Sequence, residues 1–326
     1  MDPLIEAFGL TKAFPVSRTW RQMLRAERPR LKAVDGIDLT IRRGDSIGLV
    51  GESGSGKTTV GRLLLKLTSI TSGQLTYRGD HLDRMKGARL RGFRQQAQLV
   101  FQNPFDALNP RFNIRRIVAE PLVNLGVPRA EHETRTADSL RLVGLAEPQR
   151  YLDRLPHQLS GGQLQRIVLA RALVVGPEFL VADEPVSMLD VSVRAGILNL
   201  MRDLKERLSL TSFTISHDLT LVRYICSRTL VMYLGRIIEQ GPTEEIIARP
   251  AHPYTKALIA AVPRPDVDQP RDALPISGAI GSAATPPSGC RLRHRCPYAF
   301  ARCASEEPPL IEVAPGHTAA CHLHIA

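Results

Sequence analysis

The amino-acid sequence predicts an α/β fold in which helices cover a mostly parallel sheet. Short apolar segments of the kind that fill such a sheet recur at 46–50, 97–101, 179–182 and 211–215. Helical patterns separate them, and a glycine-rich turn joins the first segment to a helix predicted over 58–67. This alternation of strands and helices predicts an α/β core.

Three further segments complete the predicted organisation. Residues 5–45 alternate short apolar runs with polar turns, which predicts antiparallel strands. Between about 104 and 173 strand signals fade, and segments at 114–125 (kinked at Pro121) and 133–143 predict a helical insert. After Pro263 the chain becomes rich in Pro, Gly, Ser and Ala before four of its five cysteines appear. We therefore predict a main domain over 1–262, followed by a linker and a small cysteine-containing extension over 263–326.

Composition narrows the classes of protein to which the chain can belong. With 326 residues, 43% of them hydrophobic, the chain can bury a substantial core. Its apolar stretches are interrupted, as Arg171 interrupts 167–175, and fall short of the roughly 18 to 20 residues that span a bilayer. The acidic N-terminal residues lack the pattern of a secretory signal, so we expect a cytoplasmic location.

The formal net charge of +11 suits contact with nucleic acid or with an anionic membrane surface and does not choose between them. Part of the excess lies in a basic cluster at 18–32, for which a solvated loop is an equally good interpretation.

A phosphate-binding loop is the most specific motif. Residues 51–58, GESGSGKT, match G-x-x-x-x-G-K-[ST] between a predicted strand and a predicted helix. Glycines allow the tight turn that aims backbone N–H groups at phosphates, and the helix N-terminus adds positive potential. Lys57 is expected to reach the β- and γ-phosphates of ATP, and the Thr58 hydroxyl to bind Mg²⁺. The loop residues predicted to bind nucleotide are Gly51, Ser53, Gly54, Ser55, Gly56, Lys57, Thr58 and Thr59.

Two adjacent acids follow the apolar segment 179–182. Asp183 is predicted to hold Mg²⁺ through its water shell, and Glu184 to polarise the water that attacks the γ-phosphate. Such a general base typically contributes about 10² to 10⁴ in rate. An isolated acid pair is more often a helix cap, but one that follows a phosphate-binding loop favours the catalytic interpretation.

The motif Leu-Ser-Gly-Gly-Gln at 159–163 precedes a helical run and predicts a second helix N-terminus open to an anion. With it the sequence resembles the ABC ATPase family, whose signature motif contacts the γ-phosphate of ATP bound to the opposite subunit. The resemblance implies nucleotide contacts for Ser160, Gly161, Gly162 and Gln163. It also implies a P-loop NTPase (ABC ATPase) core with an antiparallel β subdomain, a helical subdomain and a small C-terminal extension.

Other matches follow in the order of the family. Gln102 resembles the Q-loop glutamine, with a role in catalysis and Mg²⁺ binding, and His217 resembles the catalytic switch histidine. Ser-Met-Leu-Asp at 187–190 resembles the D-loop, with Met188 replacing the usual Ala and Asp190 retained. Phe14 resembles the aromatic residue that stacks on adenine, although a single Phe in a strand is as often a core residue.

The resemblance also implies partners. ATP hydrolysis in the family requires two ATPase subunits, identical or related, arranged head to tail. Two transmembrane permease subunits each insert a coupling helix near the Q-loop and the helical insert, and an extracytoplasmic substrate-binding protein supplies cargo. The chain is thus expected to be peripheral, at the cytoplasmic face of the inner membrane.

The segment His-Pro-Tyr-Thr-Lys-Ala-Leu at 252–258 resembles the C-terminal signature of ATPases that serve oligopeptide, dipeptide and nickel importers. We therefore expect a subunit that binds and hydrolyses ATP to power import of di- or oligopeptides. Nickel or oligosaccharide import is an alternative. A nucleic-acid-dependent ABC ATPase is disfavoured, because the sequence has neither a long heptad insertion nor a second cassette, and no nucleic-acid partner is expected.

Four cysteines in the extension, Cys290, Cys296, Cys303 and Cys321, follow a C-x5-C-x6-C-x17-C pattern. Their expected cytoplasmic location argues against disulfides, and the spacing lacks the close pair usual for structural zinc. Spacing alone leaves an iron-sulfur cluster, zinc or no metal open. Similar extensions in peptide-importer ATPases are associated with a [4Fe-4S] cluster, which favours the first. Cys226 lies outside the pattern and is expected to be a buried thiol.

Overall fold

The computed structural model describes residues 2–15, 30–104, 108–262, 276, 278, 281 and 286–325. The predicted basic cluster and the predicted linker lie largely outside these ranges. The chain divides into two compact units, the first comprising 1–42, 47–83 and 216–326, the second 43–46 and 84–215.

Strands and helices are numbered here in chain order. The strands are β1 (Pro3–Pro15), β2 (Arg30–Arg42), β3 (Ser46–Val50), β4 (Ser72–Tyr77), β5 (Asp80–His81), β6 (Ala97–Val100), β7 (Phe179–Asp183), β8 (Thr211–Ser216), β9 (Arg228–Tyr233), β10 (Arg236–Pro242), β11 (Ile311–Ala314) and β12 (His317–Ala319). The helices are α1 (Lys57–Leu64), α2 (Gly87–Gln96), α3 (Ile114–Leu125), α4 (Arg129–Leu142), α5 (Gln149–Leu152), α6 (Gly161–Leu173), α7 (Val191–Leu208), α8 (Leu219–Ile225), α9 (Thr243–Ala248), α10 (Pro253–Ala260) and α11 (Ala301–Ser305).

The first unit begins with an antiparallel sheet of order β2-β1-β4-β5. Buried side chains of β1 include Ile5, Ala7 and, after a register shift, Leu10, as expected for a sheet with one covered face. The predicted antiparallel layer is therefore confirmed.

The same unit contains a second group of strands in which β3 pairs with β9 in parallel and β9 pairs with β10 in an antiparallel hairpin. β12 pairs with β10, and β11 with β12. The C-terminal residues 286–325, called the cysteine module below, thus extend this sheet by two strands.

In the second unit β6, β7 and β8 are parallel. The described residues between β6 and β7 form helices α3 to α6, a 3₁₀ turn and loops, with no strand. The helix α3 includes Pro121, the residue at which a kink is predicted.

Helix ends differ from the predicted ones. The helix predicted to reach residue 67 ends at Leu64, and Lys66 two residues later has φ +50°, which a right-handed helix cannot contain. α4 begins at Arg129, four residues before the start of the predicted segment. No helix in the described part of the chain is long and apolar enough to cross a bilayer.

Candidate functional site

The phosphate-binding loop connects β3 to α1 in the first unit, and two of its glycines are required by close backbone contacts. A Cβ atom on Gly56 would lie 2.0 Å from the carbonyl oxygen of Ala33, and one on Gly51 would lie 2.2 Å from that of Met232. Their φ angles, +107° and +156°, are conformations that other residues rarely adopt. The loop is therefore built from backbone packed against backbone.

The start of α1 is suited to an anion. Its N-cap Gly56 supplies no side-chain hydrogen bond, and the first turn contains no acidic residue. Lys57 is buried, and its Nζ donates to the carbonyl oxygens of Gly51 and Glu52 at 2.7 and 2.8 Å. Thr58 and Thr59 are half-buried beside it. The loop thus offers a backbone cradle, a positive helix end and an ammonium group, which fits a nucleotide polyphosphate.

Sequence reasoning missed the contacts made by the second residue of this loop. The Glu52 carboxylate pairs with Arg295 of the cysteine module, and the Glu52 N–H donates to the Tyr254 hydroxyl at 2.8 Å. Tyr254 belongs to the 252–258 segment that the sequence offered as a subfamily marker. No local sequence pattern indicates that Tyr254 contacts a loop residue 202 positions earlier.

In the second unit the acid pair lies where it was predicted, at the end of β7. The backbone N–H of Glu184 donates to the Ile215 carbonyl at 2.9 Å. Glu184 has a left-handed φ of +46°, so its backbone leaves the extended conformation of the strand here. Its Oε2 accepts from Gln102 Nε2 at 2.9 Å. Two predicted catalytic side chains, 82 positions apart, are thereby brought into contact. Asp183 ends the strand and is half-buried.

The Leu-Ser-Gly-Gly-Gln motif forms the N-terminus of α6, as predicted. Ser160 Oγ accepts from the Gln163 N–H at 3.3 Å, and Gln163 Oε1 accepts from the Ser160 N–H at 3.0 Å, a reciprocal capping box. A Cβ atom on Gly162 would lie 2.6 Å from Val193 Cγ1 of α7. Gly162 therefore allows α7 to pack closely against the start of α6. The amide oxygen of Gln163 is occupied by the capping hydrogen bond.

The remaining predicted residues lie at exposed positions. Asp190 is the exposed N-cap of α7, and Met188 before it is 63% exposed. His217 is exposed in the turn before α8, which Asp218 caps by accepting from two backbone N–H groups. Phe14 is 37% exposed beneath the Lys12 ammonium, 5.0 Å from the ring centroid, so the core interpretation of Phe14 is wrong.

The cysteine module contains four unbridged thiols. Burial, together with the charges of Cys303, Cys321 and Cys296, raises the pKa of Cys290 to about 11. Burial and neighbouring thiols raise the pKa of Cys296 and of Cys321 as well. The four side chains are thus close enough to interact electrostatically. Within the described ranges no group of three or more His, Cys, Asp or Glu is arranged to hold a metal ion. Cys226 is buried, as expected.

Two protein-family descriptions match this chain. Residues 34–187 match the description "ABC transporter", and residues 238–303 match "Oligopeptide/dipeptide transporter, C-terminal region".

Among curated relatives, a peptide import ATP-binding protein of Brucella ovis is 46% identical over 98% of this chain and 97% of its own length. The dipeptide transport ATP-binding protein DppF of Escherichia coli is 42% identical over 98% of this chain and 94% of its own length. Among solved structures, the dimeric bacterial ABC transporter cassette MJ0796 is 26% identical, with a TM-score of 0.63 over 73% of this chain and 98% of the cassette. This chain belongs to the ABC transporter family, as an ATP-hydrolysing ATP-binding subunit with an oligopeptide/dipeptide transporter C-terminal region.

Proposed function

We propose that this ATPase powers an importer of di- or oligopeptides. The observation that carries the proposal is similarity over almost the full chain to ATP-binding proteins named for peptide and dipeptide transport. The C-terminal region, which differs among ABC ATPases, matches the oligopeptide/dipeptide description. The ATPase does not bind the cargo, so a nickel or oligosaccharide importer would use the same site.

The proposed roles follow the geometry of each unit. The backbone of the phosphate-binding loop and Lys57 bind the β- and γ-phosphates, and the Thr58 hydroxyl is an oxygen ligand of the kind Mg²⁺ prefers. In the second unit, Asp183 is proposed to hold Mg²⁺ through its water shell. Glu184 accepts a proton from the attacking water, and Gln102, whose amide donates to that carboxylate, orients it.

Proposed roles at the γ-phosphate also include groups that act from a second ATPase. Ser160, Gly161, Gly162 and Gln163 contact the phosphate across a head-to-tail dimer, Asp190 and His217 complete the site, and Phe14 stacks on adenine. Loss of the γ-phosphate removes contacts that join the two subunits, which turns hydrolysis into movement. The exposure of Met188 and Asp190 is consistent with a surface that a partner covers.

A groove of about 610 Å³ in the second unit supports permease partners. Its apolar lining comes from several elements and includes Leu90, Leu99, Pro121, Leu125 and Val168. The basic side chains of Arg91 and Arg94 also line it. An amphipathic helix with an acidic edge fits a groove lined by both apolar and basic side chains. We propose that a permease coupling helix occupies the groove and holds the chain at the cytoplasmic face of the membrane.

Purification from native membranes tests this assignment. We expect the chain to retain two multi-span proteins, a related or identical ATPase and an extracytoplasmic binding protein, whose ligand then identifies the cargo. Replacing Arg91 and Arg94 with Glu should abolish this retention without weakening ATP binding. Replacing Arg89, an exposed residue of the same helix outside the groove lining, is the matched control. Recovery of ribosomes or DNA in place of membrane proteins would contradict the proposal.

We further propose that the four cysteines of the cysteine module hold a [4Fe-4S] cluster. Thiolates around one zinc ion each lie about 2.3 Å from it, so a zinc site requires the sulfurs to converge tightly. In a [4Fe-4S] cluster each of the four thiolates binds a different iron. Cys303, Cys321 and Cys296 lie close enough to Cys290 to raise its pKa, which supports a shared site. When bound, the cluster would cross-link the module. Ligation requires thiolates, so loading should release protons.

Anaerobic purification followed by iron and acid-labile sulfide analysis tests the cluster. We expect about four of each per chain and a broad visible absorption band. Cys303→Ser should lose both iron and colour, whereas Cys226→Ser, outside the module, should retain them. A colourless, iron-free protein would contradict the cluster, and stoichiometric zinc would replace it with the alternative metal.

A further inference from the structure

An ion pair joins the cysteine module to the phosphate-binding loop. Arg295 Nη1 lies 2.9 Å from Glu52 Oε2, and Arg295 Nη2 lies 3.0 Å from Glu52 Oε1. This is the bidentate geometry in which a planar guanidinium matches both carboxylate oxygens. The Arg295 side chain is 10% exposed and that of Glu52 23%, so the pair is shielded from screening by solvent more than a surface pair is.

The Arg295 guanidinium is fixed from its own side. It lies 5.8 Å from the centre of the Tyr233 ring, and Nη1 contacts the Tyr233 hydroxyl at 3.4 Å. The Arg295 N–H donates to the Leu292 carbonyl at 2.7 Å, which holds its backbone in a turn. Nearby, Arg291 pairs with Asp35 of β2, with Arg291 8% exposed and Asp35 11%. The module is thus anchored beside the loop, and Arg295 is presented on a rigid base.

Glu52 is held at three points. Its carboxylate is bound by Arg295, its N–H donates to the Tyr254 hydroxyl at 2.8 Å, and its carbonyl oxygen accepts from Lys57 Nζ at 2.8 Å. The same carbonyl accepts from the Ser55 N–H at 3.2 Å. Arg295 therefore acts on the residue that also contacts the phosphate-binding lysine.

The charge of Glu52 gives the contact a consequence for nucleotide binding. A carboxylate in a loop that binds a polyphosphate repels that ligand, more strongly where solvent is partly excluded. A guanidinium clamped to both oxygens neutralises the charge and fixes its direction. Without Arg295 the carboxylate would lose this partner, and Glu52 would be held only through its main-chain N–H and carbonyl groups.

We propose that Arg295 is a positioning residue for ATP binding, which holds the Glu52 carboxylate neutralised and the phosphate-binding loop in place, so that ATP affinity depends on the cysteine module. The inference rests on the proposed role of this loop in phosphate binding. It assigns the C-terminal region an effect on the ATPase itself, in addition to any effect on partners.

The test is a double-mutant cycle on the full-length protein with Arg295→Ala, Glu52→Ala and the double variant. Dissociation constants are measured for a non-hydrolysable ATP analogue with Mg²⁺, and kcat and KM are measured by phosphate release. Arg302→Ala is the matched control, because Arg302 belongs to the same module but pairs with Glu306 on the surface. Thermal unfolding of each variant monitors folding.

Arg295→Ala should raise the dissociation constant about tenfold, equivalent to about 1.4 kcal/mol. KM for ATP should rise in parallel while kcat at saturating ATP changes less than about twofold, the pattern expected when uniform binding is lost. In the Glu52→Ala background, removing Arg295 should change the dissociation constant less than about twofold, because no carboxylate remains to be neutralised. Arg302→Ala should bind like the wild type.

If Arg295→Ala fails to fold, Arg295→Lys replaces it. Lysine keeps the positive charge but cannot bind both carboxylate oxygens as a planar guanidinium does. We therefore expect the dissociation constant to increase about threefold. Unchanged affinity in a folded Arg295 variant, equal effects in both backgrounds, or equal weakening by Arg302→Ala would overturn the inference. A wild-type protein that binds no nucleotide would instead overturn the proposed function, and the inference with it.

Discussion

The Glu184 carboxylate lies at the end of a buried strand on a residue with a left-handed backbone. That conformation is uncommon for a residue other than glycine and is found preferentially at functional sites. Its backbone N–H is bonded to Ile215, and its Oε2 accepts from Gln102. The backbone and the carboxylate of Glu184 are therefore each held by a hydrogen bond, which suits the general-base role proposed for it.

Glu184→Gln tests this role. The substitution keeps shape and an oxygen that can accept from Gln102, but removes the proton acceptor. We expect ATP hydrolysis to fall by about 10² to 10⁴ while nucleotide binding persists. Because the γ-phosphate is retained, the variant should self-associate in ATP if two copies of this chain pair. Phosphate release, nucleotide binding and light scattering measure the three quantities.

The control for this substitution is Glu133→Gln. Glu133 is 72% exposed and pairs with Arg115 on the surface, so its loss should leave hydrolysis unchanged. Normal turnover by Glu184→Gln would contradict the assigned role.

For single residues, the sequence indicates chemical roles more readily than it indicates which side chains contact each other. The sequence predicts roles for the acid pair because it follows an apolar strand and a phosphate-binding loop, and for Gln102 because it resembles the Q-loop glutamine of ABC ATPases. That Gln102 donates to Glu184 depends on the pairing of β6 with β7, which no local pattern specifies. The contact of Arg295 with Glu52 is not predictable from the sequence, because nothing in a basic segment indicates a carboxylate 243 positions away.

Among the elements, β3 and α8 pack so closely that one residue has no room for a side chain. A Cβ atom on Gly48 would lie 2.3 Å from Val222 Cγ1. Gly48 requires no unusual φ, so its role is steric alone. β3 leads directly into the phosphate-binding loop, so this contact helps to fix where the loop begins.

Gly48→Ala should destabilise the protein by about 1 to 3 kcal/mol, the range for overpacking a core. Val222→Ala removes the clashing methyl group, so the same glycine substitution should be less costly in that background, by at least about 0.5 kcal/mol. Midpoints of thermal unfolding compare the four proteins. Gly92→Ala is the control, because a Cβ atom there meets nothing within 4 Å. Additive effects of Gly48→Ala and Val222→Ala would contradict direct steric contact.

Periodicity identified the elements of the core well and their ends less well. β3, β7 and β8 lie where their apolar segments predicted, because a strand buried on both faces reads as a continuous apolar run. The end of α1 depends on the left-handed Lys66, which the sequence does not mark as glycine would. β11 and β12 are short, and β12 pairs with β10 although the two are far apart in sequence. No sequence pattern therefore predicts these two strands.

In the first unit, a buried polar network connects the sheet, a helix and the C-terminal hairpin. Glu239, fully buried on β10, accepts from the N–H groups of Ala251 and His252 at 2.7 and 2.9 Å and from His317 Nε2 at 2.7 Å. His252 Nδ1 in turn accepts from the Tyr254 N–H at 3.1 Å and caps α10. The network orients the helix whose tyrosine contacts the phosphate-binding loop.

The network makes stability depend on pH through His252. Burial, with the positive charges of His324 and Lys256, lowers the pKa of His252 from 6.5 to about 3. The folded protein therefore keeps this imidazole neutral while the unfolded chain takes up a proton below about pH 6.5. The contribution of His252 to the free energy of unfolding is therefore constant above about pH 6.5. It is lost as pH falls from 6.5 towards 3, and it does not change further below pH 3. The loss is about 1.4 kcal/mol per pH unit across the window.

His252→Asn isolates this contribution, because asparagine is a strong N-cap that does not titrate. Carboxylates that titrate in the same range are common to both proteins, so the difference between the two stability curves reports His252. We expect the free energy of unfolding of the variant to fall less steeply than that of the wild type between pH 6.5 and 4. The same substitution at a partly exposed histidine, His81→Asn, controls for the loss of an imidazole as such. Parallel curves for His252→Asn and the wild type would show that the buried histidine already carries its proton in the folded state, and the network around Glu239 would then contain a charged imidazolium.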